Sequence, residues 1–182
     1  MKETDSLRPG ELSVAPPKAD DAGLEFIGRI HTPWTSRADC PRHGKQDGPL
    51  CRIELFEPWA LALQGIESYP RLEILYWLHQ ARRDLVQQSP KNDGRTLGSF
   101  ALRSPLRPNP IGTAVVALEG REGNSLLVRG LDCLDGTPLL DLKPEYCPFS
   151  GQGSGQSSGQ SSGQSSGQGS GAGNAGAANP RG

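Results

Sequence analysis

No stretch of this 182-residue chain is apolar for long enough to span a bilayer as a helix. No Gly-x-Gly-x-x-Gly follows a candidate strand either, which disfavours a Rossmann-type nucleotide or methyl-donor site. Charge of one sign is missing too: 19 Lys and Arg against 20 Asp and Glu leave a net charge of −1, so no global basic field gathers nucleic acid. The four cysteines, at 40, 51, 133 and 147, form no Cys-x-x-Cys pair, and the opening Met1-Lys2-Glu3-Thr4-Asp5 is polar and acidic rather than a secretory signal. A reduced, cytoplasmic setting with free thiols is expected. Cys40 and His43 have ligand-like spacing with Cys51 nearby, but no matched second pair exists, so no metal is expected.

Apolar residues are also missing from both ends. From 150 to 182 the chain repeats Ser, Gly and Gln without one aromatic or large aliphatic side chain, and 11 of its 24 glycines lie there. Such a segment cannot bury enough surface to offset its ordering entropy. Residues 1–23 hold three prolines and mixed charges without apolar periodicity. Three parts are therefore expected: a disordered N-terminal segment 1–23, one folded domain 24–149, and a Gly/Ser/Gln-rich low-complexity tail 150–182.

What is present inside 24–149 reads mostly as strand. Leu24–Ile30 and Cys51–Phe56 alternate apolar and polar, and Thr113–Leu118 and Leu126–Leu131 flank a hairpin turn at 119–124. Pro58 and Gly65 bracket a short helix. Asp135-Gly136 marks a turn before a strand at 139–142. Residues 82–97 read as a polar loop. Charge is locally uneven: between 82 and 107, Arg82, Arg83, Lys91, Arg95, Arg103 and Arg107 face only Asp84 and Asp93.

The chain is organised around Gly98–Gly112, where Pro105, Pro108 and Pro110 fix φ repeatedly and exclude helix. That rigid frame carries Arg103, Arg107 and Asn109. An arginine fork suits carboxylate or phosphate, and these residues are candidates for holding such a group.

Ala101-Leu-Arg-Ser-Pro-Leu-Arg-Pro-Asn-Pro-Ile-Gly112 resembles the signature of the TsaA-like family, also called the TrmO family. The resemblance extends to an Ile-Gly-x-Ile strand entering His31-Thr-Pro-Trp34, to Pro41-Arg42, to Leu-x-Ile-Leu-x-x-x-His79, and to Leu134-Asp-Gly-Thr-Pro138 with Asp141-Leu-Lys-Pro144. Two positions depart from it: His43 stands where the family has Gln, and Glu145 separates Pro144 from Tyr146. These motifs, in order, cover nearly all of 24–149.

The resemblance implies an all-β fold, a single-sheeted TsaA-like β-barrel with one short helix and disordered termini. It reads 71–80 as a strand ending at His79-Gln80. It implies an S-adenosylmethionine-dependent methyltransferase acting on N6 of threonylcarbamoyladenosine at position 37 of tRNA, binding the anticodon loop as a homodimer. The implied cofactor residues are Pro41, Arg42, His43, His79, Gln80, Arg103, Asp135, Gly136, Thr137 and Pro138. The implied substrate residues are Arg107, Asn109 and Lys143. The amide-like N6 must lose a proton, and Asp141, Asp135 or His79 is available to accept it; Asp141 and His79 are taken as catalytic candidates. A barrel that binds small molecules or RNA without catalysis is the alternative.

Overall fold

Alternation of apolar and polar residues becomes alternation of buried and exposed side chains once the strands pair. The computed structural model describes residues 7–15 and 22–146. Nine strands run through them: β1 (Leu12–Ser13), β2 (Gly28–His31), β3 (Cys51–Leu55), β4 (Arg71–Trp77), β5 (Leu85–Gln88), β6 (Leu97–Gly98), β7 (Ile111–Glu122), β8 (Ser125–Arg129) and β9 (Thr137–Pro144). Six of them close a barrel in the order β2-β3-β8-β7-β4-β9, every pair antiparallel. Closure leaves those strands no free edge. In β3, Cys51, Ile53 and Leu55 turn inward while Arg52 and Glu54 do not. Ile30, Leu72, Ile74, Val116, Leu126, Val128 and Leu139 complete a fully buried interior.

The helical segment expected after Pro58 is the 3₁₀ turn Trp59–Leu63, followed by a second short turn at Ile66–Ser68. The strand expected over 71–80 ends at Trp77, so His79-Gln80 lies just beyond it. The expected tail lies outside the described residues.

Two departures have physical causes. The polar stretch 82–97 contains β5 and β6, which with β1 form a separate three-stranded sheet. Leu12 pairs with Gln87 there, so part of 1–23 has structure that its lack of apolar periodicity conceals. Polar side chains hold this sheet alongside the buried Leu85. Glu11 accepts from the Ser89 amide (3.1 Å) and Arg8 donates to the Ser89 carbonyl (3.2 Å).

The topology gathers one end of the barrel. β2, β4 and β8 end there, and β3, β7 and β9 begin there, as the antiparallel registers require. The three long connections, 32–50, 78–110 and 130–136, therefore all emerge from the same mouth. The opposite mouth carries the tight turn at Gly123-Asn124 and the 3₁₀ segment.

Candidate active site

Three connections leaving one mouth bring together residues far apart in sequence. Between them lies a cleft of about 440 Å³, lined from the first connection by Arg37, Cys40, Pro41, Arg42 and His43. The second supplies Leu78, His79, Gln80, Ala81, Arg103 and Pro105; the third supplies Cys133 and Leu134, with Thr137 from β9. The volume is that of a small-molecule site, and the lining is mainly apolar with charge at a few points.

The central motif is held as a rigid wall. The buried Gln88 amide donates to Ser99 Oγ (2.8 Å) and to the Leu106 carbonyl (2.7 Å), and Ser99 Oγ donates to the Leu85 carbonyl (2.7 Å). Arg107 closes the loop on itself, donating to the Leu102 carbonyl at 2.6 Å while its guanidinium lies over Phe100. Arg83 donates to the Pro108 carbonyl (2.6 Å), rests over Trp77, and reaches Asn109 Oδ1 at 3.5 Å. Arg103 makes no such bond among the described residues. Neither does Arg42. Arg37 donates to the Gln80 carbonyl and ties the first connection to the second.

Seven of the candidate cofactor residues named from the sequence meet at this cleft: Pro41, Arg42, His43, His79, Gln80, Arg103 and Thr137. Asp135, Gly136 and Pro138 do not line it. Asp135 Oδ1 instead accepts from the Thr32 amide (3.1 Å) and lies 3.6 Å from His31 Nδ1, which orders the turn behind the cleft. Gly136 takes φ 75° and donates its amide to Ile30, so its place is conformational. Thr137 donates its hydroxyl to the Leu134 carbonyl (2.7 Å).

Asp141 and Lys143 also stand away from the cleft, joined to each other as an ion pair. By simple alternation Thr137, Leu139 and Asp141 share a face. The β4–β9 register shifts at this point: Tyr76 faces Leu139 and Leu75 faces Asp141, leaving Leu140 unmatched. This bulge restores Leu142 to the core side and puts Asp141 on the other.

Arg107 and Asn109 line a larger neighbouring basin of about 820 Å³, which shares Arg42, His43, Leu78, Arg103 and Pro105 with the cleft. Sequence reasoning missed Arg37 and Asp132. Asp132, on the basin wall, precedes the Leu134-Asp-Gly turn by two residues and was hidden by that stronger motif. Its Oδ1 accepts a short bond from Tyr76 Oη at 2.5 Å. Burial first, then the Asp132 charge, pushes the Tyr76 hydroxyl far above the ordinary phenol range and fixes it as donor. Cys40 donates to the Asp132 carbonyl, and burial with the Asp132 charge pushes its thiol up. Cys133 is raised for the same leading reason, so neither thiol has thiolate character. No group of three His, Cys, Asp or Glu side chains among the described residues is arranged to hold a metal. Likewise, no helix among them is long and apolar enough to cross a membrane.

Comparison with known proteins gives the same picture of the whole domain. The profile of the tRNA-methyltransferase O N-terminal domain matches residues 29–150. A Rhizobium radiobacter protein named probable S-adenosyl-L-methionine-binding protein VirR is 60% identical over 139 residues, 76% of this chain and 79% of that one. The Escherichia coli (strain K12) tRNA (adenine(37)-N6)-methyltransferase is 34% identical over 138 residues, 70% of this chain and 58% of that one. A crystal structure of TrmO from Pseudomonas aeruginosa superposes with a TM-score of 0.58 at 34% identity, covering 72% of this chain and 58% of that one. The chain thus spans little more than half the length of the last two proteins.

Proposed function

The chain belongs to the tRNA-methyltransferase O N-terminal domain family, and on that premise we propose that it methylates N6 of adenosine 37 in tRNA from S-adenosylmethionine. The finer substrate in this reading is threonylcarbamoyladenosine at that position, read within the anticodon loop. Action as a homodimer in the cytoplasm belongs to the same reading. The observation that carries it is the cleft, where the separate motifs of the chain converge on one small-molecule-sized site with the Arg42 and Arg103 guanidiniums unpaired among the described residues.

The lining fits the cofactor by the chemistry of its donor set. Leu78, Ala81, Pro105 and Leu134 offer apolar contact for a nucleoside face, and Arg42 and Arg103 offer forks for an aminoacyl carboxylate. His43, His79 and Gln80 add polar contacts at the same rim. S-adenosylmethionine, when bound, supplies an electrophilic methyl group on a sulfonium sulfur. The chain's own work is then positioning. Gln88 and Ser99 keep the Arg103 wall from moving, Arg37 bridges two connections, and the apolar lining keeps water off the cleft floor. A local excess of arginine around 82–107 favours the phosphates of an RNA loop without needing a basic protein.

The test is transfer of a labelled methyl group from S-adenosylmethionine to tRNA by the purified chain. Label in tRNA, abolished by excess S-adenosylhomocysteine, is the expected result. Calorimetric cofactor binding with no label transferred would leave the chain a binding module and overturn the enzymatic reading.

A further inference from the structure

The basin beside the cleft has the features of a nucleobase site. Backbone of Gly44, Gly112 and Gly130 forms part of its wall, with the Tyr76 ring packed closely on Gly112. Phe100 stands at its edge with 79% of its surface exposed, backed by the Arg107 guanidinium 5.8 Å from the ring centre. An exposed aromatic face supported by a cation is a surface on which a planar base stacks. Such exposure is otherwise unfavourable for a phenylalanine on a small domain.

Among the described residues, Asp132 is the one carboxylate on this basin wall. Its Oδ1 is engaged by Tyr76, and its Oδ2 has no partner among the described residues. The Tyr76 ring packs so closely on Gly112 that a Cβ there would fall inside the ring's van der Waals envelope, so only glycine fits beneath it. Tyr76 therefore anchors one oxygen of the Asp132 carboxylate. The backbone carbonyl of Asp132 accepts from Cys40 of the cleft. Asp132 thus stands on the partition between cleft and basin.

The other acid–base candidates lack that position. Asp141 is paired with Lys143 on the far face of β9, Asp135 is engaged behind the cleft, and His79 lines the cleft but not the basin.

We propose that the basin receives the target adenine and that Asp132 accepts the proton from its exocyclic N6. This rests on the methyltransferase reading above. In the step, the N6–H bond breaks and the proton passes to Asp132 Oδ2. The electron pair left on N6 forms the N6–C bond. The methyl–sulfur bond of the sulfonium breaks with its pair remaining on sulfur, giving a neutral thioether. The carboxylate and sulfonium charges are lost together, so the step leaves the net charge of the site unchanged.

The experiment compares wild type, Asp132→Asn and Tyr76→Phe in three measurements. These are single-turnover methyl transfer to an anticodon stem-loop RNA carrying threonylcarbamoyladenosine at position 37, calorimetric affinity for S-adenosylmethionine, and thermal midpoint. Asparagine keeps an acceptor for Tyr76 but cannot take a proton. Asp132→Asn is expected to slow transfer by about 10²- to 10⁴-fold, the usual range for a proton-accepting group, with cofactor affinity within twofold of wild type. Tyr76→Phe is expected to slow it less than tenfold. Transfer by Asp132→Asn within threefold of wild type would overturn the proposal. So would equal losses in the two variants, which would make Asp132 only a support for Tyr76. A wild type that transfers nothing would overturn the methyltransferase reading itself, a result recognisable without either variant.

Discussion

Arg103 lines the cleft, the basin and the pocket beside Ser89, and no described side chain neutralises it. Its neighbours Arg107 and Arg83 are spent on loop carbonyls and aromatic rings. This division was only half legible in the sequence. The proline frame marked Arg103 and Arg107 as rigid, but spacing does not say which guanidinium is spent on the loop and which is left for a ligand. A testable consequence follows for Arg103→Lys. Lysine keeps the charge and loses the bidentate fork, so S-adenosylmethionine binding is expected to weaken by about 1–3 kcal/mol. The thermal midpoint should stay where it is, because the exposed side chain supports no core contact. Calorimetry and a melting curve on the same sample decide it. A lowered midpoint with unchanged affinity would make Arg103 structural. Asp141 shows the opposite failure of residue-level reading. Two-residue periodicity predicts it inward with Thr137 and Leu139, and a single unmatched residue at Leu140 reverses that.

At the scale of elements, β2 and β3 were readable because they alternate, and their burial follows the pattern, whereas β4 was read as a strand through the family resemblance. The β1-β5-β6 sheet was not readable. Its longest member, Leu85-Val-Gln-Gln88, has only two apolar residues, and its cohesion comes from pairing with residues distant in sequence and from buried amide and hydroxyl groups. Gln88 is the key to it. Two of the bonds that fix the Arg103 wall come from its side-chain amide. Gln88→Leu is expected to destabilise by roughly 1–3 kcal/mol, since Ser99 Oγ loses its donor and the Leu106 carbonyl is left unpaired. Loop cleavage within 98–107 should rise more than cleavage in the barrel strands, as partial unfolding starts where the wall detaches. Limited proteolysis with mass mapping reads this out. Uniform susceptibility across the domain would show that the second sheet and the barrel open as one unit.

For the whole molecule, the ordering of motifs along the chain made the family and the barrel legible before any coordinates. Their convergence was not, because it depends on which barrel mouth each connection leaves. The antiparallel order β2-β3-β8-β7-β4-β9 sends the connections after β2, β4 and β8 to one mouth, and the chemistry collects there. Overall charge plays little part in this account, since the net value is −1 and recognition rests on a few placed arginines. The most direct test of the central claim is nucleoside mass spectrometry of tRNA incubated with the purified chain and S-adenosylmethionine. The account predicts a methyl group gained by the position-37 adenosine derivative, located on N6 by fragmentation, with threonylcarbamoyladenosine consumed in step. An unaltered position 37, or a methyl group found on another nucleoside, would contradict it.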